Sequence, residues 1–422
     1  MTFFELLALL ITLTALFSYL NLRFIKLPTV IGVMLISLLV SLALIAAGHV
    51  RPVISNEAAQ LLKQIKFDET LLQGILSFVL FAGALQVNLK ELYSQKGFVL
   101  ALAFGGVVLS MFFFGTLIYL ALEQLGIGLQ YAWCLLFGAL ISPTDPLAVL
   151  GILQRADVPP TIRIQIVGES LFNDGVGIVL FLVCLKIASA GHPIPAADIG
   201  FLFAREAGGG ALFGLGAGWI TYLLLKSVDD YQVEVLLTLA LVTGGYATAS
   251  ALGFSGPIAI VVAGLLIGSR ARRLAMSDMT RKYVDRFWEL VNEMLNALLF
   301  VVIGLEVLVL DFTRELLLAG LIAVPILLFA RWASVGLIVC VLGQWRRFVP
   351  GTIMIMTWGG LRGAIAVALA LSLPPGSERD TVLAITYVLV VFSILFQGLT
   401  VGPLARRFLG DGHAVGMSTN VK

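Results

Sequence analysis

Residues 138–153 read GALISPTDPLAVLGIL, and residues 357–374 read TWGGLRGAIAVALALSLP. Each is an apolar run of membrane-spanning character with a disrupted middle. In the first, Pro143 and Pro146 lack the N–H groups that would bond the carbonyls of Ala139 and Ser142, and each ring pushes the preceding turn out of line. In the second, the GGLRG cluster places Arg362 inside the apolar pattern. Irregular backbone at membrane depth is tolerated only where it is buried in protein or lines a watery cavity. Paired interrupted helices at equivalent places in two halves of a chain point to the binding site of a transporter.

The composition around these runs excludes a soluble fold. The chain has 422 residues, of which 59% are hydrophobic and 12% charged, against about 45–50% and about 25% in ordinary globular proteins. With 27 Lys plus Arg against 25 Asp plus Glu, the net charge of +2 argues against a nucleic-acid partner. Cys134, Cys184 and Cys340 are too far apart to suggest a disulfide framework or a thiolate cage. His49, His192 and His413 all lie outside the apolar runs, which disfavours a Ser-His intramembrane protease and an HExxH metalloenzyme. The chain is therefore not read as an enzyme. Glu5 stands where a basic n-region would, so the first helix is expected to stay rather than be cleaved.

Gly, Pro and charge clusters divide the chain into about thirteen candidate spans: 3–20, 29–47, 70–87, 99–122, 133–153, 161–186, 208–225, 234–251, 255–269, 287–309, 315–342, 350–372 and 381–404. One alternate set of loops holds most of the basic residues, including Arg270, Arg272, Arg273, Arg281, Lys282, Arg286, Arg346, Arg347, Arg406 and Arg407. The positive-inside rule makes that set cytoplasmic, with the N-terminus outside and the C-terminus in the cytoplasm. The weak point is LLKQIKF, at 61–67 in the segment 48–69, whose basic residues fall on the outer side; it reads as an interfacial amphipathic turn. The fold class is an all-α polytopic membrane protein with two six-helix repeats of inverted topology. The repeats are placed at 1–187 and 233–410, with a connector helix in 188–232 and a short tail at 411–422.

The chemistry gathers on a few residues. The freed carbonyls of the SPTDP segment, the Thr144 hydroxyl and the Asp145 carboxylate are hard oxygen ligands, suited to a small alkali cation. In GESLFNDG, at 168–175, Glu169 and Asn173 stack at i, i+4, as do Ser170 and Asp174 on a neighbouring face. A charge at the centre of a spanning helix costs about 2.5–3.5 kcal/mol on insertion scales, so such residues point to function. Ser170 and Asp174 are read as cation ligands, and Asn173 as a tie to Asp145. Arg362 needs a buried partner, and Glu169 is the natural candidate, which would leave Asp174 as the group that exchanges a proton for a cation. Asp145 is further expected beside the positive N-terminal end of a half-helix. Glu306, near the predicted outer end of its span, is read as facing water. Gly210, Gly214 and Gly218 form a small-xxx-small stripe read as packing within the molecule.

In their order and spacing, SPTDP, GESLFNDGVGIVLF and GGLRGAIAVALALSLP resemble the bacterial NhaP-type antiporters of the sodium/hydrogen exchanger superfamily. FAGALQVNL and SGPIAIVVAGLLIG, in the third and ninth spans, extend the resemblance over nearly the whole chain. It implies a plasma-membrane homodimer with thirteen helices per protomer. Each protomer would have a dimerisation domain and a mobile core holding two crossed, partly unwound helices. It also implies Na+ or Li+ exchange for H+ by an elevator-like movement, serving pH homeostasis. No cofactor is implied, because the ions are cargo. By matching motif, Asp174 is the ion- and proton-binding carboxylate, with Ser170 and the Thr144 carbonyl as further Na+ ligands. Asn173 and Asp145 would stabilise the crossing, and Glu169 would pair with Arg362. The Asn173-Asp174 dipeptide, in place of two adjacent aspartates, implies electroneutral exchange. Ala82 departs from the pattern, standing where some members carry an acidic residue, so no further carboxylate ligand comes from the third span. K+/H+ exchange on the same scaffold is the alternative, ahead of a cation channel or an intramembrane enzyme.

Overall fold

The computed structural model describes residues 3–50, 72–87, 89–145, 153, 158–190, 195–310 and 312–413. Every regular element among the described residues is helical. They are α1 Phe3–Leu20, α2 Thr29–Val50, α3 Leu72–Gln86, α4 Leu89–Leu100, α5 Val107–Gln124, α6 Tyr131–Ile141, α7 Pro160–Ala190, α8 Ala196–Phe203 and α9 Gly209–Lys226. Then follow α10 Tyr231–Ala251, α11 Gly256–Leu266, α12 Arg272–Leu274, α13 Asp278–Glu306, α14 Arg314–Leu342, α15 Thr352–Trp358, α16 Ala364–Leu371, α17 Ser377–Val391 and α18 Gly398–His413. Single π turns join α4 to α5, α8 to α9 and α17 to α18 into continuous rods.

Each of the thirteen predicted spans has a described helix. Nine described spans are long and apolar enough to cross a membrane, and three further apolar helices are shorter. The thirteenth is the broken pair α15 and α16. The fourth and tenth spans begin earlier than their apolar runs, because LKELYSQKG and DMTRKYVDRFWELVNEM continue the same rods as amphipathic helix. The LLKQIKF turn, Pro146 and the final residues from 414 lie outside the described residues.

Loop residues satisfy the free N–H groups at helix starts. Asp230 caps α10 through Gln232 N and Val233 N, each at 3.0 Å. Ser277 caps α13 through Thr280 N at 3.3 Å, and Thr313 caps α14 through Leu316 N at 3.3 Å. Gly253, at φ 71°, makes the left-handed turn that sends the chain from α10 into α11.

Lipid offers no hydrophobic incentive for two apolar helices to associate, so close backbone approach through small residues takes its place. Gly210, Gly214 and Gly218 pack α9 onto Ser255, Ala259 and Ala263 at and along α11, which is the expected intramolecular role of that stripe. Gly138 meets the Met111 backbone across α5 and α6, and Gly304 meets Ser37 across α13 and α2.

The helices pack as two groups. One contains α4 to α7 with α14 to α18; the other contains α1 to α3 with α9 to α13. Contacts across the boundary include α7 on α11 and α3, and α16 on α13 and α3. Both sequence halves divide in the same way, giving their first helices to one group and their later helices to the other.

Candidate functional site

The two interrupted helices cross at their breaks. α6 stops at Ile141, and α15 and α16 are separated by residues 359–363. Asp145 N donates to Leu361 O at 2.7 Å, a backbone hydrogen bond from one break to the other. Gly363 lies so close to Asp145 that a Cβ there would run into its carboxylate. Asp145 is thus held at the N-terminal end of α16, where the helix dipole favours negative charge.

α7 runs beside this crossing and supplies its polar side chains. Gly177 faces the Pro143 ring so closely that a side chain there would overlap it. Asn173 brackets Thr144: its Nδ2 donates to Thr144 Oγ1 at 2.9 Å, and its Oδ1 accepts from Thr144 N at 3.4 Å. Ser170 Oγ and Thr144 Oγ1 are 2.8 Å apart. Asn173 thus ties α7 to the broken segment at Thr144.

Asp174, 6% exposed, lies one turn beyond Ser170 on α7 and within electrostatic reach of Asp145. Its carboxylate has no hydrogen bond or ion pair among the described residues. A carboxylate, two hydroxyls and the non-helical backbone of residues 143–145 thus lie within a short stretch of protein interior. These are oxygen donors of the kind that hold an alkali ion.

The expected pairing of Glu169 with Arg362 is corrected by the structure. Glu169 is held by Arg331 of α14, through Nη1 to Oε1 and through Nη2 to Oε2 at 2.8 Å, and Arg331 Nη2 also donates to Met356 O at 3.3 Å. Arg362 turns instead to the other break, where its Nη1 donates to Ser142 O and to Pro143 O, the latter at 2.8 Å. The physical reason lies in where α6 ends. The helix stops at Ile141, so the Ser142 and Pro143 carbonyls lie beyond it without helical donors, and the guanidinium on the opposite break donates to both. Arg362 N is fixed by Ser393 Oγ at 2.8 Å, and Ser393 Oγ donates to Gln397 Oε1 at 2.7 Å. Both lie in the π turn between α17 and α18.

Arg331, Ser393 and Gln397 are the site residues that motif reading misses. The signal for Arg331 was present as a cation inside LLFARWASVG, since an in-span charge requires a buried partner. Glu306, read as facing water, is instead buried at 5% exposure, at the last residue of α13.

The family described as sodium/hydrogen exchanger, transmembrane, matches residues 10–407. The chain is 48% identical over 408 residues to the Na+/H+ antiporter NhaP of Pseudomonas aeruginosa, covering 96% of each. It is 35% identical over 377 residues to the Na+/H+ antiporter NhaH of Halobacillus dabanensis, covering 87% of this chain and 91% of that one. In fold it is similar to the sodium proton antiporter MjNhaP1 of Methanocaldococcus jannaschii, with a TM-score of 0.76 at 22% identity over 96% of this chain and 98% of that one. This chain, helical throughout the regular elements of its described residues, with two broken helices crossing beside a buried Asp and a match over residues 10–407, is a member of the sodium/hydrogen exchanger family of transmembrane proteins.

Proposed function

We propose that this protein is an electroneutral antiporter exchanging Na+ or Li+ for H+, with the two ions competing for Asp174. The observation that carries the reading is how the buried charges are disposed. Glu169 is taken by Arg331, Arg362 is spent on the Ser142 and Pro143 carbonyls, and Asp145 sits at the N-terminal end of α16. Asp174 is left as a carboxylate without a hydrogen-bonded partner among the described residues, beside the Ser170 and Thr144 oxygens. A carboxylate withdrawn from water must be neutralised, and either a proton or a monovalent cation does so. One such site, crossing loaded with one ion or the other, exchanges charge for equal charge.

The two helix groups offer the moving parts, because the site helices α7 and α16 also face the opposite group. On this reading, residues 1–187 and 233–410 are inverted repeats joined by 188–232, and their equivalent breaks make the crossing. Alternating access arises as the group bearing α6, α7, α15 and α16 moves against the other. The chain works as a homodimer in the plasma membrane, N-terminus outside and C-terminus in the cytoplasm. The relatives' names, Na+/H+ antiporter NhaP and NhaH, agree with this assignment.

The test is exchange in proteoliposomes with an internal pH dye, offering Na+, Li+ and K+ in turn. Na+ and Li+ should each drive proton movement at a rate unchanged when the membrane potential is clamped at zero. A response to K+ alone would replace the cargo, and cation flux indifferent to the pH gradient would sink the antiporter reading.

A further inference from the structure

A second buried acid lies apart from the crossing. Glu234, the fourth residue of α10, has 0% exposure. Neither of its carboxylate oxygens has a hydrogen-bond partner, and no cation ion-pairs with it among the described residues. The charges it feels from its own end of α10 are Asp229 and Asp230. From α13, packed against it, the polar neighbour is Thr280 in the first turn. Of the cations on the neighbouring segments, Arg272 pairs with Asp285 and Arg281 with Asp278 at 2.8 Å, and Lys226, Lys282 and Arg286 form no ion pair with Glu234 among the described residues. Asp230 is turned to its own helix as the α10 cap.

One turn along α10, Thr238 Oγ1 accepts the indole N–H of the buried Trp288 at 3.0 Å. α10 and α13 are therefore joined by one polar rung, Thr238 to Trp288. One turn earlier Glu234 stands near Thr280, whose hydroxyl donates to Ser277 O at 3.3 Å instead. The carboxylate there, if ionised, would be stranded without donors or counter-ion. One carboxylate and a hydroxyl are too few oxygens for Ca2+ or Mg2+, whereas a proton needs a single oxygen.

We propose that Glu234 is a proton-binding site separate from Asp174, and that loss of its proton opens the joint between α10 and the first turn of α13. The consequence reaches the transport machinery because α13 also packs against α16. The joint lies beside the basic segment around Arg270 to Arg286, so on the proposed orientation it senses the cytoplasm.

The experiment measures tryptic cleavage within that basic segment, in full-length protein in nanodiscs, for wild type and Glu234→Gln between pH 6 and pH 9. Comparing the two at each pH cancels the pH dependence of the protease. The ratio of wild-type to variant cleavage should be near one at pH 6 and rise about tenfold by pH 9, as ionisation opens only the wild-type joint. A ratio that stays flat overturns the proposal. Should Glu234→Gln fold poorly, Glu234→Met fills a similar volume without charge and carries the same expectation. Cleavage does not depend on transport, so its failure is distinguishable from failure of the antiport reading.

Discussion

Arg331 on α14 holds both carboxylate oxygens of Glu169 on α7, with Nη2 to Oε2 at 2.8 Å and both side chains almost fully buried. A bidentate pair of this kind satisfies two charges at once and fixes two helices of the same group relative to each other. Removing either partner strands the other.

Arg331→Ala and Glu169→Gln should therefore each destabilise the protein by about 3–5 kcal/mol, seen as a large fall in melting temperature in detergent. Combining Glu169→Gln with Arg331→Ala should cost less than the two single effects added together, because no unpaired charge is left. Additive losses would show that the two side chains are not energetically coupled.

Arg362→Ala should behave differently. Its guanidinium bonds carbonyls rather than a carboxylate, so its loss leaves two acceptors short of a donor but no stranded acid. We expect a smaller drop in stability, about 1–3 kcal/mol, with a disproportionate loss of exchange as the crossing loosens. A fall in stability equal to that of Arg331→Ala would indicate that Arg362 also carries the Glu169 charge.

Asp174→Asn should abolish cation-driven proton movement while leaving the melting temperature unchanged or raised. The substitution replaces an unpaired buried carboxylate by a neutral group of the same shape. Retained exchange in a folded variant would transfer the ion site to another carboxylate.

Ser170→Ala removes one side of the 2.8 Å contact with Thr144 and one oxygen from the candidate site. A net loss of about 1 kcal/mol per hydrogen bond predicts a several-fold rise in the half-saturating Na+ concentration with maximal rate little altered. Dye-reported exchange across a Na+ titration measures both.

Gly363→Ala puts a methyl group into the Asp145 carboxylate at the N-terminal end of α16. Overpacking of this kind costs about 1–3 kcal/mol and displaces the two breaks relative to each other. Exchange should fall sharply, whereas Gly336→Ala, where a Cβ meets open space, should leave it intact.

Much of the architecture was readable from local chemistry. Apolar runs of spanning length announce their own helices, and thirteen were separable by Gly, Pro and charge. The Ser170 and Thr144 association follows from oxygen-bearing side chains that cannot face lipid. Less readable was the partner of each charge. Both Arg331 and Arg362 are buried cations in the second half of the chain, and helical periodicity states only which face each occupies. Glu306 misled for a related reason: closeness to a span's end suggested water, and its burial is a product of tertiary packing that local sequence does not state.

Sequence alone therefore determined where this chain is helical, where two of its helices break, and which polar side chains remain at membrane depth. These follow from hydrophobic length, from proline's missing N–H and from the cost of charge in hydrocarbon, all of which act within a few residues. Only the tertiary structure decided that Arg331 takes Glu169 and that Arg362 takes the Ser142 and Pro143 carbonyls. That choice depends on how α7, α14 and the two breaks are placed in space. A guanidinium bonds whichever unsatisfied acceptor the crossing helices bring within its reach.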